Sequence, residues 1–203
     1  MLIAFEGIPK SGKSTLSLAL LEYLNNKFKT ENNLLRVDPH LGDFIWTKEP
    51  TFPDDHAHSL NIEGINECRR ERIFFESRIK HQEVLMGRNI VCERYLWGAY
   101  TYIHKYSPST LNILKELYSS DYIFVQPDLY FFVDTNPEVC YERDKETDVD
   151  RLLELRNSYL YTQQFINEPV ITITSIGSES RAVDEMILKF DKYVKDKEFF
   201  SLV

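Results

Sequence analysis

The residues best suited to chemistry lie near the start of the chain, where positions 7–14 read Gly-Ile-Pro-Lys-Ser-Gly-Lys-Ser. A glycine, four free positions and then Gly-Lys-Ser or Gly-Lys-Thr is the pattern of a phosphate-binding loop. The backbone amides of such a loop cradle phosphate oxygens, and its glycines allow a close approach. The segment therefore predicts a site for a nucleoside triphosphate. The residues expected at this site are Gly7, Ile8, Pro9, Lys10, Ser11, Gly12, Lys13, Ser14 and Thr15.

Within this loop, three side chains have distinct expected roles. Lys13 is expected to place its ammonium on the β- and γ-phosphates, and Ser14 is expected to place its hydroxyl on Mg²⁺. Lys10 is a second cation inside the loop. Two interpretations of Lys10 stay open, a contact with the γ-phosphate and a solvated surface lysine.

The neighbouring segments provide the context that a phosphate-binding loop requires. Residues 2–5 form a short apolar run, and Leu16, Leu20 and Leu24 recur every four residues after the loop. This pattern predicts a strand, a loop and then a helix. Because loop amides and a helix N-terminus must converge on one anion, this order favours a functional loop over a chance match.

A second candidate group, Glu93-Arg94-Tyr95, follows the continuous apolar run 90–92. Such a run is typical of a buried parallel strand, and ligands of open α/β sheets bind beyond the carboxyl ends of the strands. Arginine can bind a phosphate with two parallel hydrogen bonds, and a carboxylate can hold hydrated Mg²⁺. A purely structural Glu93–Arg94 ion pair is the alternative.

Two further groups of charged residues could contribute to the same site. Lys48 and Glu49 follow a predicted strand over residues 43–47, although residues at a strand end are often simply solvated. A predicted long helix over residues 60–86 carries several arginines interleaved with glutamates. Ordinary ion pairs on the helix surface explain part of this pattern, so only one or two of the arginines should face a site.

The whole chain alternates between strand and helix patterns, which predicts an α/β fold with a five-stranded parallel sheet and helices on both faces. We expect one domain over residues 1–203, because 203 residues with 43% hydrophobic content suffice for one core. A polar segment, approximately residues 29–42, is predicted to be a surface insertion. The remaining predicted helices cover 108–118, 148–165 and 181–194, and the remaining strands cover 129–133 and 170–174.

Composition excludes several classes of partner. The formal net charge of −8 argues against broad attraction to nucleic acid or to an anionic membrane. No apolar run approaches the ~18 residues that span a bilayer. The three cysteines are widely spaced, which indicates reduced thiols and predicts a cytoplasmic protein.

Taken together, the motifs resemble those of the thymidylate kinases, a family of nucleoside monophosphate kinases. The resemblance covers nearly the whole chain in the right order. It rests on Phe5-Glu6-Gly7-Ile8, on Thr47-Lys48-Glu49-Pro50, on Glu93-Arg94-Tyr95 with Tyr102, on the segment 127–143 and on the helix pattern over 152–159.

The resemblance implies a three-layer P-loop NTPase fold with a short lid, here approximately residues 143–151. It implies that ATP with Mg²⁺ phosphorylates deoxythymidine monophosphate (dTMP) to dTDP, in a homodimer. Arg94 would bind the acceptor phosphate, Glu93 would organise Mg²⁺ and Tyr102 would pack beneath the deoxyribose. Arg143, at the start of the lid, would contact ATP. Lys48 and Glu49 would belong to the acceptor site.

The family also places an arginine and a phenylalanine on the thymine base. Counting about twenty residues back from Glu93 favours Arg72, with Phe75 as a neighbouring ring. The alternative pair, Phe74 with Arg78, keeps the family's local spacing of Phe-x-x-x-Arg. Both assignments stay open from the sequence, so Arg78 is also a candidate.

The chain departs from the family pattern in ways that keep other functions open. Pro9 stands where the family usually has an aspartate that meets the acceptor's 3′-hydroxyl. Lys10 stands where some members have an arginine that reaches the γ-phosphate, and those members lack a basic lid, as this chain does. Glu49 and Glu93-Arg94 also resemble deoxynucleoside kinases, in which the glutamate is a base toward a sugar hydroxyl. A nucleotide-binding protein without catalysis is the third possibility.

Overall fold

The fold is defined by a computed structural model that describes residues 1–32, 43–49, 67–106, 124–174 and 178–201. Inside these ranges, the side chains of residues 28–32, 67–72, 106 and 198–201 lie outside the description. Across the described ranges, no helix is long and apolar enough to cross a bilayer.

Five strands form one sheet in the order β2-β3-β1-β4-β5, and every neighbouring pair is parallel. The predicted α/β fold with a five-stranded parallel sheet is therefore confirmed. The strands are β1 (Leu2–Glu6), β2 (Ile45–Lys48), β3 (Ile90–Glu93), β4 (Leu129–Val133) and β5 (Val170–Ile173). The described α-helices are α1 (Lys13–Asn32), α2 (Glu67–Leu85), α3 (Leu96–Tyr106), α4 (Pro137–Arg143), α5 (Val149–Thr162) and α6 (Glu179–Ser201).

The sheet is buried on both faces, which produces three layers. Successive side chains of a strand point to opposite faces, and β1 shows the consequence. Leu2 and Ala4 belong to a core with Trp97 of α3. Ile3 and Phe5 belong to a second core, which contains the predicted α1 stripe of Leu16, Leu20 and Leu24 together with Met186 and Phe190 of α6.

The sequence patterns missed the short helix α4 and also helix α3. It begins directly after the Glu93-Arg94-Tyr95 segment, and its stretch from Leu96 to Ile103 is rich in aromatic residues. Helix α3 packs against the sheet and also against α5, where Trp97 meets Tyr159 edge to face, so most of its side chains are buried. The predicted helix 108–118 lies outside the described residues.

The ends of the elements differ modestly from the sequence predictions. Helix α2 ends at Leu85, and Gly87 adopts a positive φ of 67°, as expected for a glycine that terminates a helix. Helix α1 continues to Asn32, so the first part of the predicted insertion 29–42 is helical and the rest lies outside the described residues. The single-domain assignment and the lid over 143–151 stay predictions.

Candidate active site

The phosphate-binding loop connects β1 to α1 and depends on unusual backbone conformations. Gly7 has φ 145°, Gly12 has φ 104° and Lys10 has φ 60°. Side chains disfavour this half of conformational space, which explains the two glycines. The loop is also fastened from β4 and α4, because Thr135 Oγ1 donates to Ser11 O at 2.8 Å and Arg143 Nη1 donates to Lys10 O at 2.8 Å.

Lys13 is almost completely buried at the base of this loop, with 3% exposure. Its ammonium donates to the carbonyl oxygens of Gly7 at 2.9 Å and Ile8 at 2.6 Å. Burial, followed by the nearby charge of Arg94, lowers the pKa of Lys13 from 10.5 to about 7. A bound phosphate would supply a negatively charged partner for the Lys13 ammonium.

Ser14 and Glu93 come together from the loop and from the end of β3. Ser14 Oγ donates to Glu93 Oε2 at 2.7 Å, and Lys48 Nζ lies 3.2 Å from Glu93 Oε1. A hydroxyl and a carboxylate are hard oxygen ligands of the kind Mg²⁺ prefers. Among the described residues, no group of three or more His, Cys, Asp or Glu could hold a metal ion.

A cavity of about 490 Å³ opens over these groups. It is lined by Pro9, Lys10, Ser11, Gly12, Lys13, Ser14, Thr15, Leu16, Lys48, Glu93, Arg94, Arg143, Glu179 and Ala182. All of these except Leu16, Glu179 and Ala182 are site residues predicted from the sequence. Of the remaining predicted residues, Gly7 and Ile8 lie at the base of the loop, and Ile8 packs its side chain into the core.

Arg94 shares this cavity with Lys13 and is held in the left-handed region, with φ 67°. For a residue other than glycine, this conformation costs roughly 1–2 kcal/mol. Its backbone N–H donates to Phe5 O of β1 at 2.8 Å. Strained backbone of this kind persists only where the surroundings enforce it, and it is frequent at functional sites.

Glu49 lies outside the cavity lining in a buried cluster with two residues of α2. Its carboxylate accepts from Arg78 Nε at 2.7 Å and contacts His81 Nδ1 at 2.9 Å, and all three side chains are buried. The guanidinium carbon of Arg78 lies 5.7 Å from the centre of the Phe74 ring. The structure therefore brings Glu49, Arg78 and Phe74 together.

The other residues predicted for the base and sugar are placed differently. Arg72 lies in α2, and its side chain is outside the description. Phe75 packs edge to face on Phe124 of the core, with ring centres 5.6 Å apart. Tyr102 is partly buried in α3 and packs against the same core. The sequence predicts that Phe75 lies near the base, and the structure shows its ring in contact with the core.

Lys10 does not point freely toward the cavity. Its ammonium forms an ion pair with Asp144, which directly follows α4, and 54% of the side chain is exposed. The hydrogen bond to Asp144 raises the pKa of Lys10, and the same bond lowers the pKa of Asp144. Asp144 therefore competes with a triphosphate for the ammonium of Lys10.

Known proteins resemble this chain over almost its full length, although no family model matches it. A thymidylate kinase of Mesomycoplasma hyopneumoniae is 25% identical over 206 residues, which cover 95% of this chain and 97% of the relative. A thymidylate kinase of Thermosipho africanus is 28% identical over 211 residues, covering 93% and 100%. A solved thymidylate kinase structure from Ehrlichia chaffeensis has a TM-score of 0.64 at 22% identity, covering 94% of this chain and 98% of that one.

The chain is similar to thymidylate kinases over nearly its whole length. The relatives from the mycoplasma and from Thermosipho are both thymidylate kinases. Both alignments cover more than nine-tenths of this chain rather than the phosphate-binding loop alone. The solved structure agrees with the fold, since it covers nearly all of both chains. The family resemblance read from the motifs is therefore confirmed.

One important residue of the site region was not singled out from the sequence. Glu6 is completely buried at the end of β1, where its carboxylate accepts from the backbone N–H groups of Tyr95 and Gly98 and from the Tyr159 hydroxyl. A signal was present, because Glu6 is the charged residue that closes an otherwise apolar strand. Charged residues are almost never fully buried without partners.

The first testable prediction concerns the loop's opening glycine. A Cβ at Gly7 would lie 2.6 Å from Val133 O and 3.0 Å from Ser11 Oγ, and the φ of 145° is unfavourable for any side chain. We expect Gly7→Ala to weaken ATP binding at least about tenfold, since the loop must move to relieve the clash. Titration with a fluorescent ATP analogue measures this. Gly87→Ala, which introduces a Cβ at another positive φ but meets nothing within 4 Å, is the control. Equal losses in both variants would contradict the prediction.

The second prediction concerns the pH dependence of stability. Burial raises the pKa of Glu6 from 4.5 to about 7, although hydrogen bonds from Gly98, Tyr95 and Tyr159 oppose it. Between these values the unfolded chain binds fewer protons at this group than the folded protein, so the free energy of unfolding falls as pH rises. The shift corresponds to roughly 3 kcal/mol. Urea unfolding at pH 5 and pH 7.5 should show this fall in the wild type. A fall of the same size in Glu6→Gln would refute the assignment to Glu6.

Proposed function

We propose that this protein transfers the γ-phosphate of ATP to dTMP and releases dTDP and ADP. The observation that carries the proposal is the single cavity in which the phosphate-binding loop with Lys13 faces Arg94, with the Ser14–Glu93 pair between them. Phosphoryl transfer requires alignment of donor and acceptor together with neutralisation of charge, and this cavity offers both. The names of the relatives support the same substrates.

On the donor side, loop amides and Lys13 would bind the phosphates of ATP. Lys10 would join them after exchanging Asp144 for the γ-phosphate, as its place in the cavity lining supports. Ser14 and Glu93 would hold Mg²⁺, which supplies charge neutralisation on the phosphate oxygens when bound. Arg143, which already donates to Lys10 O, would contact ATP from the start of the lid.

On the acceptor side, Arg94 would bind the phosphate of dTMP and align it for in-line attack. Two parallel hydrogen bonds from a guanidinium fix both the position and the orientation of a phosphate. A phosphate acceptor is already ionised near neutral pH, so the reaction needs no general base. Lys48, which contacts Glu93 at the cavity edge, would assist in the acceptor site.

The Glu49 cluster argues against the nucleoside kinase alternative. A base that deprotonates a sugar hydroxyl must have a free oxygen directed at that hydroxyl. Here one oxygen of Glu49 accepts from Arg78 and the other contacts His81. We infer that Glu49 orients Arg78, with Phe74 beside it, toward the base, and that Tyr102 lies beneath the sugar. Arg72 and Phe75 remain the second choice for the base.

A coupled assay with ATP and a panel of acceptors tests the proposal. The panel contains dTMP, dUMP, the other deoxynucleoside monophosphates, deoxythymidine and a no-acceptor control. We expect turnover with dTMP above all others, and turnover on nucleosides alone would reject the proposal. Glu49→Gln adds a second criterion, since it should abolish turnover with deoxythymidine if Glu49 is a base toward the sugar hydroxyl. ATP binding without turnover on any acceptor would indicate a non-catalytic protein.

We propose three further properties on the strength of the similarity to thymidylate kinases alone. The protein should form a homodimer, which sedimentation velocity measures, and it should act in the cytoplasm. Residues 143–151 should close over bound ATP and exclude water, since a lid of this kind limits hydrolysis.

A further inference from the structure

The buried carboxylate of Glu6 lies immediately before the phosphate-binding loop and has 0% exposure. None of the described residues forms an ion pair with it. A buried carboxyl group is costly unless hydrogen bonds satisfy it. The partners of Glu6 therefore show which parts of the molecule depend on it.

Two of these partners are backbone amides at the start of α3. Glu6 Oε1 accepts from Tyr95 N at 2.7 Å and from Gly98 N at 2.9 Å. The first amides of a helix have no partner within the helix, and a negative group is favoured beside them. Glu6 thus caps α3 from a separate strand, which is a tertiary contact between residues about ninety positions apart.

The fit between Glu6 and α3 depends on Gly98. A Cβ at this position would lie 3.0 Å from Glu6 Oε2 and 3.3 Å from Glu6 Oε1. Glycine is otherwise unfavourable inside a helix. Its presence in the first turn is explained by the close approach of the carboxylate.

The turn that Glu6 caps is the turn that carries Arg94. Arg94 N donates to Phe5 O at 2.8 Å, and the next amide, Tyr95 N, donates to Glu6. Two consecutive residues of β1 therefore hold two consecutive amides of the turn. The thiol of Cys92 adds a bond to Arg94 O at 3.0 Å. Together these contacts enforce the left-handed backbone of Arg94.

The remaining partner comes from the helix that follows the predicted lid. Tyr159 of α5 donates its hydroxyl to Glu6 Oε2 at 3.0 Å and is itself buried. One carboxylate therefore connects the strand before the phosphate-binding loop, the turn with Arg94 and helix α5.

We propose that Glu6 is a positioning residue that sets the Arg94 turn for the acceptor phosphate and ties it to α5. This inference rests on the phosphoryl transfer to dTMP proposed above. Without Glu6, the backbone at Arg94 loses part of its support and the guanidinium samples unproductive positions. Misplacement of an aligning group lowers turnover strongly, while the phosphate-binding loop still binds ATP.

Steady-state kinetics with separate KM values distinguish this role from a general loss of structure. We expect Glu6→Ala to lower kcat/KM for dTMP about a hundredfold while KM for ATP stays within about threefold. Glu6→Gln keeps one accepting oxygen, so it should recover to within about tenfold of the wild type. A parallel rise in both KM values, or a Glu6→Ala variant within twofold of the wild type, would overturn the proposal.

A matched pair of tyrosine variants keeps the test available if Glu6→Ala does not fold. Tyr159→Phe removes the hydroxyl bonded to Glu6, and Tyr23→Phe removes a hydroxyl bonded to Asp191 of α6, away from the cavity. We expect Tyr159→Phe to lower kcat/KM for dTMP about fivefold and Tyr23→Phe to change it less than twofold. Equal effects of the two variants would count against Glu6.

Hydrogen exchange separates this proposal from the proposed function. The amides of Tyr95 and Gly98 should exchange at least about tenfold faster in Glu6→Ala than in the wild type, and at the wild-type rate in Tyr23→Phe. Unchanged exchange would reject the role of Glu6 even in an active dTMP kinase. Faster exchange together with turnover on another acceptor would retain the role in holding the turn and reject only dTMP as the substrate.

Discussion

Replacing Arg94 with alanine should lower kcat/KM for dTMP about a thousandfold and leave the affinity for ATP nearly unchanged. The physical reason is that Arg94 shares the cavity with the phosphate-binding loop and that its backbone N–H is held by Phe5 O. Loss of this cation removes both the alignment of the acceptor and the neutralisation of its charge. Steady-state kinetics with varied dTMP, combined with direct titration of ATP, measure the two effects separately.

Two further variants test whether the loss of activity comes from the guanidinium of Arg94. Arg94→Lys keeps the charge but loses the planar fork, so it should recover only part of the activity. Arg88→Ala removes an exposed arginine that lies before β3, at the opposite end of that strand, and should behave as the wild type. If Arg94→Ala weakened ATP binding as much as acceptor binding, the division into donor and acceptor sides would be wrong.

Replacing Lys13 with methionine should reduce kcat about a thousandfold and should also remove a proton uptake that accompanies ATP binding. Burial and Arg94 lower the pKa of Lys13 to about 7, so at pH 8 most molecules carry a neutral lysine. Bound phosphates favour the charged form and raise this pKa, so binding should draw a proton from solution. Calorimetry at pH 8 in two buffers with different ionisation enthalpies measures the uptake.

Methionine suits this test because it keeps an unbranched apolar stem in the buried position. Lys27→Met is the matched control, since Lys27 lies on the same helix and pairs with Asp191 away from the cavity. We expect that control to retain both activity and proton uptake. Equal proton uptake in Lys13→Met and in the wild type would mean that a group other than Lys13 takes up the proton.

Sequence patterns do not determine which arginine of α2 contacts the acceptor. Phe-x-x-x-Arg spacing and distance from Glu93 favoured different arginines, and neither pattern states which side of α2 faces the site. In the folded protein, Arg78 meets Glu49 from the end of β2, and Phe75 meets Phe124 of the core. The rotation of α2 places Arg78 on Glu49, and that rotation depends on packing with segments distant in sequence.

The sequence by itself determined the five strands of the parallel sheet, the phosphate-binding loop and the positions of Glu93 and Arg94 at a strand end. These features depend on local spacing, on the period of apolar residues and on the rule that parallel strands end at one edge. Only the tertiary structure decided that Lys10 pairs with Asp144, that Glu49 is enclosed by Arg78 and His81, and that Glu6 supports the Arg94 turn. Each of these contacts joins residues far apart in the chain, and their partners are set by how the layers pack rather than by any local pattern.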